Sequence, residues 1–302
     1  MENDRAICLA STAVLVIGTL WGFYWLPVRE IANLGLTGVW GTLAITAAGT
    51  VALLPFAWTG RAELRQADFW AVAATALGGF AFVLYSVSFL YGEVAVVIIL
   101  FFLTPVWSTL LGRIFFGWPI TRTRASVLVL GILGLLVMLG AEGNVPIPRN
   151  LGEWLGLASG FFWSVASLGI RVRRALPAVQ GGFVFAAGAT LGGLALAPWL
   201  GGWTDSGAIG DGFQLFLWVL LTGGFWWALF IVGLMWATPQ LDPARVGILL
   251  MAEVLVAAVS AALIVGEHLS VWELVGGALV LAAGLLELRP TRVLANGRAR
   301  RR

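Results

Sequence analysis

Ten runs of apolar residues follow one another with little between them, and that spacing constrains the chain more than any motif does. The runs occupy residues 7–28, 36–58, 69–90, 94–116, 125–141, 151–170, 181–200, 213–236, 244–265 and 271–288. A bilayer core about 30 Å thick takes roughly 20 residues of helix. In hydrocarbon each backbone N–H and C=O must find its partner within the protein, which favours helices. The chain therefore reads as an all-α integral membrane protein with ten transmembrane helices. Its connections are short and carry turn residues, as in Gly143-Asn144-Val145-Pro146 and Leu241-Asp242-Pro243, so no loop holds a soluble domain. The first run has Glu2 and Asp4 on its flank and too long an apolar core for a signal peptide. It is read as a retained helix.

The arginines give the orientation. All 18 basic residues are arginine, and cytoplasmic loops collect positive charge. With the N-terminus inside, Arg5, Arg61, Arg65, Arg113, Arg122, Arg124, Arg171, Arg173, Arg174, Arg245 and the six arginines of the tail all fall on the cytoplasmic side. Arg29 and Arg149 fall outside. Ten spans also bring the C-terminus inside, where the tail arginines require it. This placement accounts for the net charge of +3 without nucleic-acid binding. The basic tail reads as a topology anchor that can also meet anionic lipid.

Composition serves mainly to exclude. Charged residues make up 11% of the chain and apolar ones 60%, against about 25% charged in soluble domains. One cysteine, Cys8, and one histidine, His268, leave no intrachain disulfide, no thiol cluster and little imidazole chemistry. No metal, no cofactor and no enzymatic activity are expected.

The chain also repeats itself. Residues 89–117 lie without a gap on 238–266 at a shift of 149, with Ala95, Val97, Ile99, Leu100 and Gly117 falling on Ala244, Val246, Ile248, Leu249 and Gly266. Gly78-Gly79-Phe80 falls on Gly223-Gly224-Phe225 at a shift of 145, and Trp21 and Arg29 fall on Trp163 and Arg171 at a shift of 142. Three matches in one order indicate a unit written twice, with the copies at 1–146 and 147–302. Each copy holds five spans, an odd number, so the second enters from the opposite face. Inverted repeats of this kind place a substrate site near the midplane and let one half rock against the other. A transporter is the expected function. A polytopic membrane enzyme and a passive channel are the rivals from other classes.

Three segments carry a resemblance to a known family: Leu20-Trp21-Gly22, Leu103-Thr104-Pro105-Val106 and Gly266-Glu267-His268-Leu269-Ser270. With them the chain resembles the drug/metabolite transporter superfamily, of the ten-helix kind built from two EamA-type repeats. The likeness is greatest to the bacterial inner-membrane exporters of aromatic amino acids and related metabolites. Two positions depart from the pattern: Gly117-Trp118 stands where Gly-Glu is common, and Val254 where proline usually follows the glutamate. The resemblance implies a central cavity lined by helices one, three, four, six, eight and nine.

Candidate residues follow from chemistry at depth. Charge within lipid is expensive, and Glu253 lies midway along the ninth run. It reads either as a proton-coupling or amine-binding carboxylate, or as a hydrogen-bonded structural group. Its counterpart in the first copy is Thr104. Glu93, Arg113 and Arg245 lie near span ends and are expected to reach the interface; Glu267 and His268 are read as loop residues. The first run has no acidic residue, which disfavours the carboxylate device of small cation exporters. Aromatic side chains supply the walls: Trp21 in helix one, Phe82 and Tyr85 in helix three, Phe101 in helix four, Trp163 in helix six, and Trp227 and Phe230 in helix eight. Thr104, Ser108, Ser164 and Ser167 add hydroxyls. Pro105 frees a carbonyl that a ligand can use. The pairs Gly78-Gly79 and Gly223-Gly224 are expected to pack closely or to bend as hinges. Such a cavity suits amino acids and related small metabolites, whose ammonium group gains about 0.5–2 kcal/mol per cation–π contact. An exporter of lipophilic cationic drugs is the alternative. The expected partners are the small-molecule substrate and membrane lipid, with one chain sufficient for the pathway.

Overall fold

The computed structural model describes residues 2–92, 94–139, 148–173, 176–200, 210–265 and 270–288. Among them every regular element is helical. Where each helix begins is a matter of local chemistry. Asp68, Asn150, Asp211 and Asp242 have extended backbones, and their side chains accept the first free N–H groups of the helices at Phe69–Ser88 (α5), Leu151–Val172 (α9), Gly212–Val219 (α11) and Pro243–Leu250 (α13). At α9 the cap is reciprocal. Glu153 receives the Arg149 N–H at 2.6 Å and the Asn150 side-chain N–H at 2.7 Å, so a buried carboxylate is fully engaged.

Seven of the apolar runs hold at least one long helix of ordinary form. These are Glu2–Trp21 (α1), Gly38–Thr59 (α3), α5, Arg122–Leu139 (α8), α9, Ala178–Leu200 (α10) and Val271–Leu288 (α15). The others, and the end of the first, are interrupted. After α1 the chain turns at Gly22 to Tyr24 and resumes as Trp25–Asn33 (α2), where one continuous helix was expected. A Cβ on Gly22 would lie 2.6 Å from the Cβ of Val256 and 2.8 Å from the Glu253 carbonyl oxygen. The break thus sits where helix one meets the ninth run. A short interfacial helix, Arg61–Arg65 (α4), follows α3. The fourth run is Val94–Phe101 (α6) and Thr104–Phe116 (α7). The eighth is α11, a π-helical stretch Leu220–Trp227, and Ala228–Ala237 (α12). The ninth is α13 and Ala252–Val265 (α14).

Seven of the ten expected spans are long and apolar enough to cross a membrane among the described residues. The helix of the fifth run, α8, opens on Arg122 and Arg124, the ninth run is divided at Met251, and in the tenth only Leu274–Leu286 is counted as apolar helix. Polarity is distributed as lipid demands. Trp58, Phe69, Trp70, Phe115, Trp199 and Leu263 lie on the outside, while Ser11, Thr46, Ser159, Ser164, Ser167 and Thr238 are buried. The inward hydroxyls donate to carbonyls one turn back, as Ser11 does to Ile7 and Thr238 to Leu234, or across helices, as Ser159 does to Ala81 at 2.7 Å.

The helices pack as one body. The α5 helix lies on α9 and α10, α3 lies on α10 and the π-helical stretch, α8 on α15, α7 on α13, and α1 on α12, α13 and α14. Two glycines set close backbone approaches between helices. A Cβ on Gly79 would collide with the Phe185 carbonyl of α10, and one on Gly223 with the Ile45 carbonyl of α3. Gly78-Gly79 lies in regular α-helix, whereas Gly223-Gly224 lies in the π-helical stretch.

The contact at Gly79 is testable. Gly79→Val should force α5 and α10 apart and lower stability by about 1–3 kcal/mol, the usual cost of overpacking. Thermal unfolding in detergent reads this directly, and an unchanged midpoint would refute so close an approach.

Candidate functional site

The fourth and ninth runs are broken near their middles at matching places. Helix α6 ends at Phe101 and α7 begins at Thr104; α13 ends at Leu250 and α14 begins at Ala252. At the shift of 149, Phe102 falls on Met251. Each break is covered by a glycine of another helix. A Cβ on Gly160 of α9 would lie 2.6 Å from the Phe101 carbonyl oxygen, and one on Gly18 of α1 would lie 3.3 Å from Leu250 Cα. Gly18 and Gly160 are themselves 142 residues apart, the shift that relates helices one and six.

The freed backbone groups of the first break are satisfied internally. Pro105, second in α7, has no N–H to give the Phe101 carbonyl. The Thr104 hydroxyl donates to that carbonyl at 2.6 Å and lies 3.2 Å from the Gly160 carbonyl. Ser164 donates to the Thr104 carbonyl at 3.0 Å and to Gly160 at 2.7 Å, and Ser167 to Ser164 at 3.2 Å. The expectation that Pro105 offers an acceptor to a ligand is therefore corrected, since Thr104 occupies it. Thr104, Ser164 and Ser167 fasten α7 to α9 rather than facing an open space.

Beside this break lies a cavity of about 40 Å³, lined by Gly78, Phe82 and Tyr85 of α5, Phe101 of α6, Trp163 of α9, Phe185 of α10 and Leu234 of α12. Tyr85 stacks on Phe101 at 4.1 Å between ring centres, and Trp163 meets Phe185 edge-on at 6.1 Å. The rings continue beyond the cavity: Phe185 lies 6.1 Å from Trp227, Trp227 5.3 Å from Phe82, and Phe82 6.0 Å from Trp21. The sequence-derived residues Trp21, Phe82, Tyr85, Phe101, Trp163 and Trp227 thus form one aromatic cluster. Phe230 pairs instead with Trp226 at 5.8 Å and is not among the lining residues. Phe185 and Leu234 were missed, because neither α10 nor the later part of helix eight carries a polar or paired-aromatic signal at those positions.

Three polar groups in this region have no partner among the described residues. The indole N–H groups of Trp163 and Trp227 and the hydroxyl of Ser108 are buried and unbonded. A buried donor without an acceptor costs about 1–3 kcal/mol. Glu253, in the first turn of α14, is half-buried. Among the described residues its carboxylate has no hydrogen-bond or ion-pair partner. Its position at a helix N-terminus is favourable for negative charge.

Other expected sites fall elsewhere. Arg245 is 6% exposed rather than reaching the interface, because α13 packs it against its neighbours. Arg113 is exposed at the end of α7 as expected. Glu93, Arg174, Glu267, His268 and the tail arginines lie outside the described residues. Among the described residues no group of three or more His, Cys, Asp or Glu could hold a metal. A larger cavity, about 380 Å³, opens away from the aromatic cluster, between α7 and α8.

Comparison with known proteins places these features. No curated protein sequence matches the chain. A solved structure described only as a crystal structure of a protein superposes with a TM-score of 0.67 over 93% of this chain and 96% of that one, at 17% identity. That likeness is one of fold. The sequence from residue 6 to residue 140 matches the family profile of the EamA-like transporters, so that segment, with its broken fourth helix, is similar to the domains of that transporter family.

Proposed function

We propose that the protein exports amino acids, aromatic ones included, and related small metabolites across the bacterial inner membrane by alternating access, in the manner of YddG, the exporter of aromatic amino acids that its sequence resembles. The observation that carries this reading is the aromatic cavity beside the broken fourth helix, with Glu253 in the first turn of α14 and without a hydrogen-bond or ion-pair partner among the described residues.

The proposal takes residues 1–146 and 147–302 as inverted copies. It draws support from packing that maps onto itself when the copies are exchanged. The pairing of α5 with α9 then corresponds to that of α12 with α1, and α5 with α10 corresponds to the π-helical stretch with α3. The pairings of α3 with α10 and α8 with α15 correspond to themselves. Discontinuous helices at a repeat interface are the usual setting of a midplane site.

In this reading the rings of Phe82, Phe101, Trp163 and Phe185 take the apolar part of the solute, and Glu253 takes its ammonium group or exchanges a proton with it. The unbonded indole N–H groups of Trp163 and Trp227 offer donors to its carboxylate. A volume of about 40 Å³ is little more than one water's share of the liquid. Substrate therefore enters only when the walls part, and the breaks in helices four and nine, with the π-helical stretch at Gly223-Gly224, are the joints that would yield. One observation favours a second reading. A carboxylate at depth without a cationic partner also suits an exporter of lipophilic cations.

Uptake into proteoliposomes separates the two. Labelled tryptophan, phenylalanine, leucine and a lipophilic cation are each presented with and without a pH gradient. Saturable amino-acid uptake is the expected result; uptake of the cation alone overturns the amino-acid reading. Glu253→Gln should reduce transport at least tenfold while the protein folds normally, and if the gradient drives the wild type it should no longer drive the variant. Unaltered transport would leave Glu253 a structural role only.

The wall residues make a second prediction. Trp163→Ala should raise KM for tryptophan about tenfold, the equivalent of the roughly 1.4 kcal/mol an aromatic pair is worth, and change that for leucine far less. Trp163→Phe keeps a ring and removes a donor that has no acceptor, so its thermal midpoint should not fall. A uniform loss for all substrates would mark Trp163 as packing.

A further inference from the structure

A second cavity lies outside the aromatic cluster, and its chemistry points to a lipid. It is a groove of about 380 Å³ between α7 and α8, walled by Val106 and Leu110 on one side and by Ala125, Val129 and Leu133 on the other. Leu110, Val129 and Leu133 are exposed, so the groove opens on the outer surface of the helix bundle, where acyl chains lie. Along α8 it runs from Ala125 to Leu133, eight steps of about 1.5 Å or about 12 Å.

Both walls end in an arginine at the same end. Arg113 follows Leu110 by three residues and Val106 by seven, and Arg122 precedes Ala125 by three and Val129 by seven. Residues at these spacings share a helix face, so each arginine lies one turn beyond the groove on the groove's own face. The connection between the helices keeps the two ends together. Gly117 adopts a left-handed conformation, φ 65°, that ends α7. Trp118 then folds back on Gly112, and Ile120 turns into the groove. The neighbouring arginines are already engaged: Arg124 pairs with Asp242 at 2.7 Å, Arg173 with Asp68 at 3.8 Å, and Arg61 lies over the Trp58 ring. Arg113 and Arg122 are exposed and have no ion-pair partner among the described residues.

We propose that this groove is a binding site for one anionic phospholipid, its acyl chain lying between α7 and α8 and its phosphate between Arg113 and Arg122. An apolar trough headed by two uncompensated cations matches a phospholipid end for end. A second copy of the chain fits less well. A two-fold axis along the membrane normal would bring like ends together at one depth, setting four arginines against one another.

Native mass spectrometry of the delipidated full chain, incubated with phosphatidylglycerol or with phosphatidylcholine of the same acyl chains, tests the site. The wild type should retain one phosphatidylglycerol at least tenfold better than phosphatidylcholine. The double variant R113Q/R122Q should lose that preference, and R113K/R122K should keep most of it. Val129→Trp, which fills the trough from an exposed position, should reduce retention of both lipids. Phosphatidylglycerol held equally well by R113Q/R122Q or by Val129→Trp would overturn the proposal. So would a dimer that Val129→Trp dissociates, since the groove would then be an interface between copies.

Discussion

Everything in this fold depends on a rule that water usually relaxes: a peptide group within hydrocarbon has to find its partner inside the protein. A straight helix obeys it automatically. This chain interrupts its fourth and ninth runs near the middle, and that is possible only because other helices cover the interruptions. Gly160 comes against the Phe101 carbonyl, and the hydroxyls of Thr104 and Ser164 take up the carbonyls that Pro105 and the break release. The buried serines and threonines are therefore structural first. They allow a broken helix at a depth where an unsupported one would not survive.

The same rule explains the glycines. With lipid outside, helices gain little from hiding apolar surface and associate through close packing instead. Gly79 against the Phe185 carbonyl and Gly223 against that of Ile45 bring backbones together at two crossings of equivalent kind. Phe185 owes its place to this geometry. Gly78, with no side chain, leaves room for the Phe185 ring 3.0 Å from where a Cβ would sit, and so for the ring's turn into the cavity. One glycine pair both joins the helices and admits an aromatic wall.

Much of this was legible in the sequence, and the rest was not, for definite reasons. The apolar runs at 69, 151, 213 and 244 begin within a residue of their helices, because Asp68, Asn150, Asp211 and Asp242 cap those helices locally. The aromatic cluster could be read because Phe82, Tyr85 and Trp163 sit at helical spacing on runs that a repeat had already paired. The breaks could not. Phe102 and Met251 are ordinary apolar residues, and the chain turns there because of what packs against it. Phe185 could not be read either, since its role is set by a missing side chain on another helix. Arg245 misled by position: near the end of an apolar run in sequence, it is buried in space because α13 is covered on several sides. Phe230 shows the limit of spacing arguments, for one turn along a helix that begins in π-helical form it faces Trp226 instead of the cavity.

The most informative feature is where the two halves stop matching. At the fourth-run break, Ser164 of α9 donates to the Thr104 carbonyl and Thr104 satisfies Phe101, so every group is fastened. At the ninth-run break the corresponding residues are Gly22 for Ser164 and Glu253 for Thr104. Gly22 still reaches the matching carbonyl, that of Glu253, but brings no hydroxyl, and helix one turns away at that point. The carboxylate that replaces the threonine hydroxyl has no hydrogen-bond or ion-pair partner among the described residues. On the proposed reading of residues 1–146 and 147–302 as copies, equal support at both breaks would be expected. Here the support is complete on one side, while on the other it is exchanged for a charge that can change partners. Packing alone would not favour that exchange, because a second threonine and serine would hold the ninth run better. The asymmetry is what a scaffold looks like when one of its two joints has been given over to chemistry.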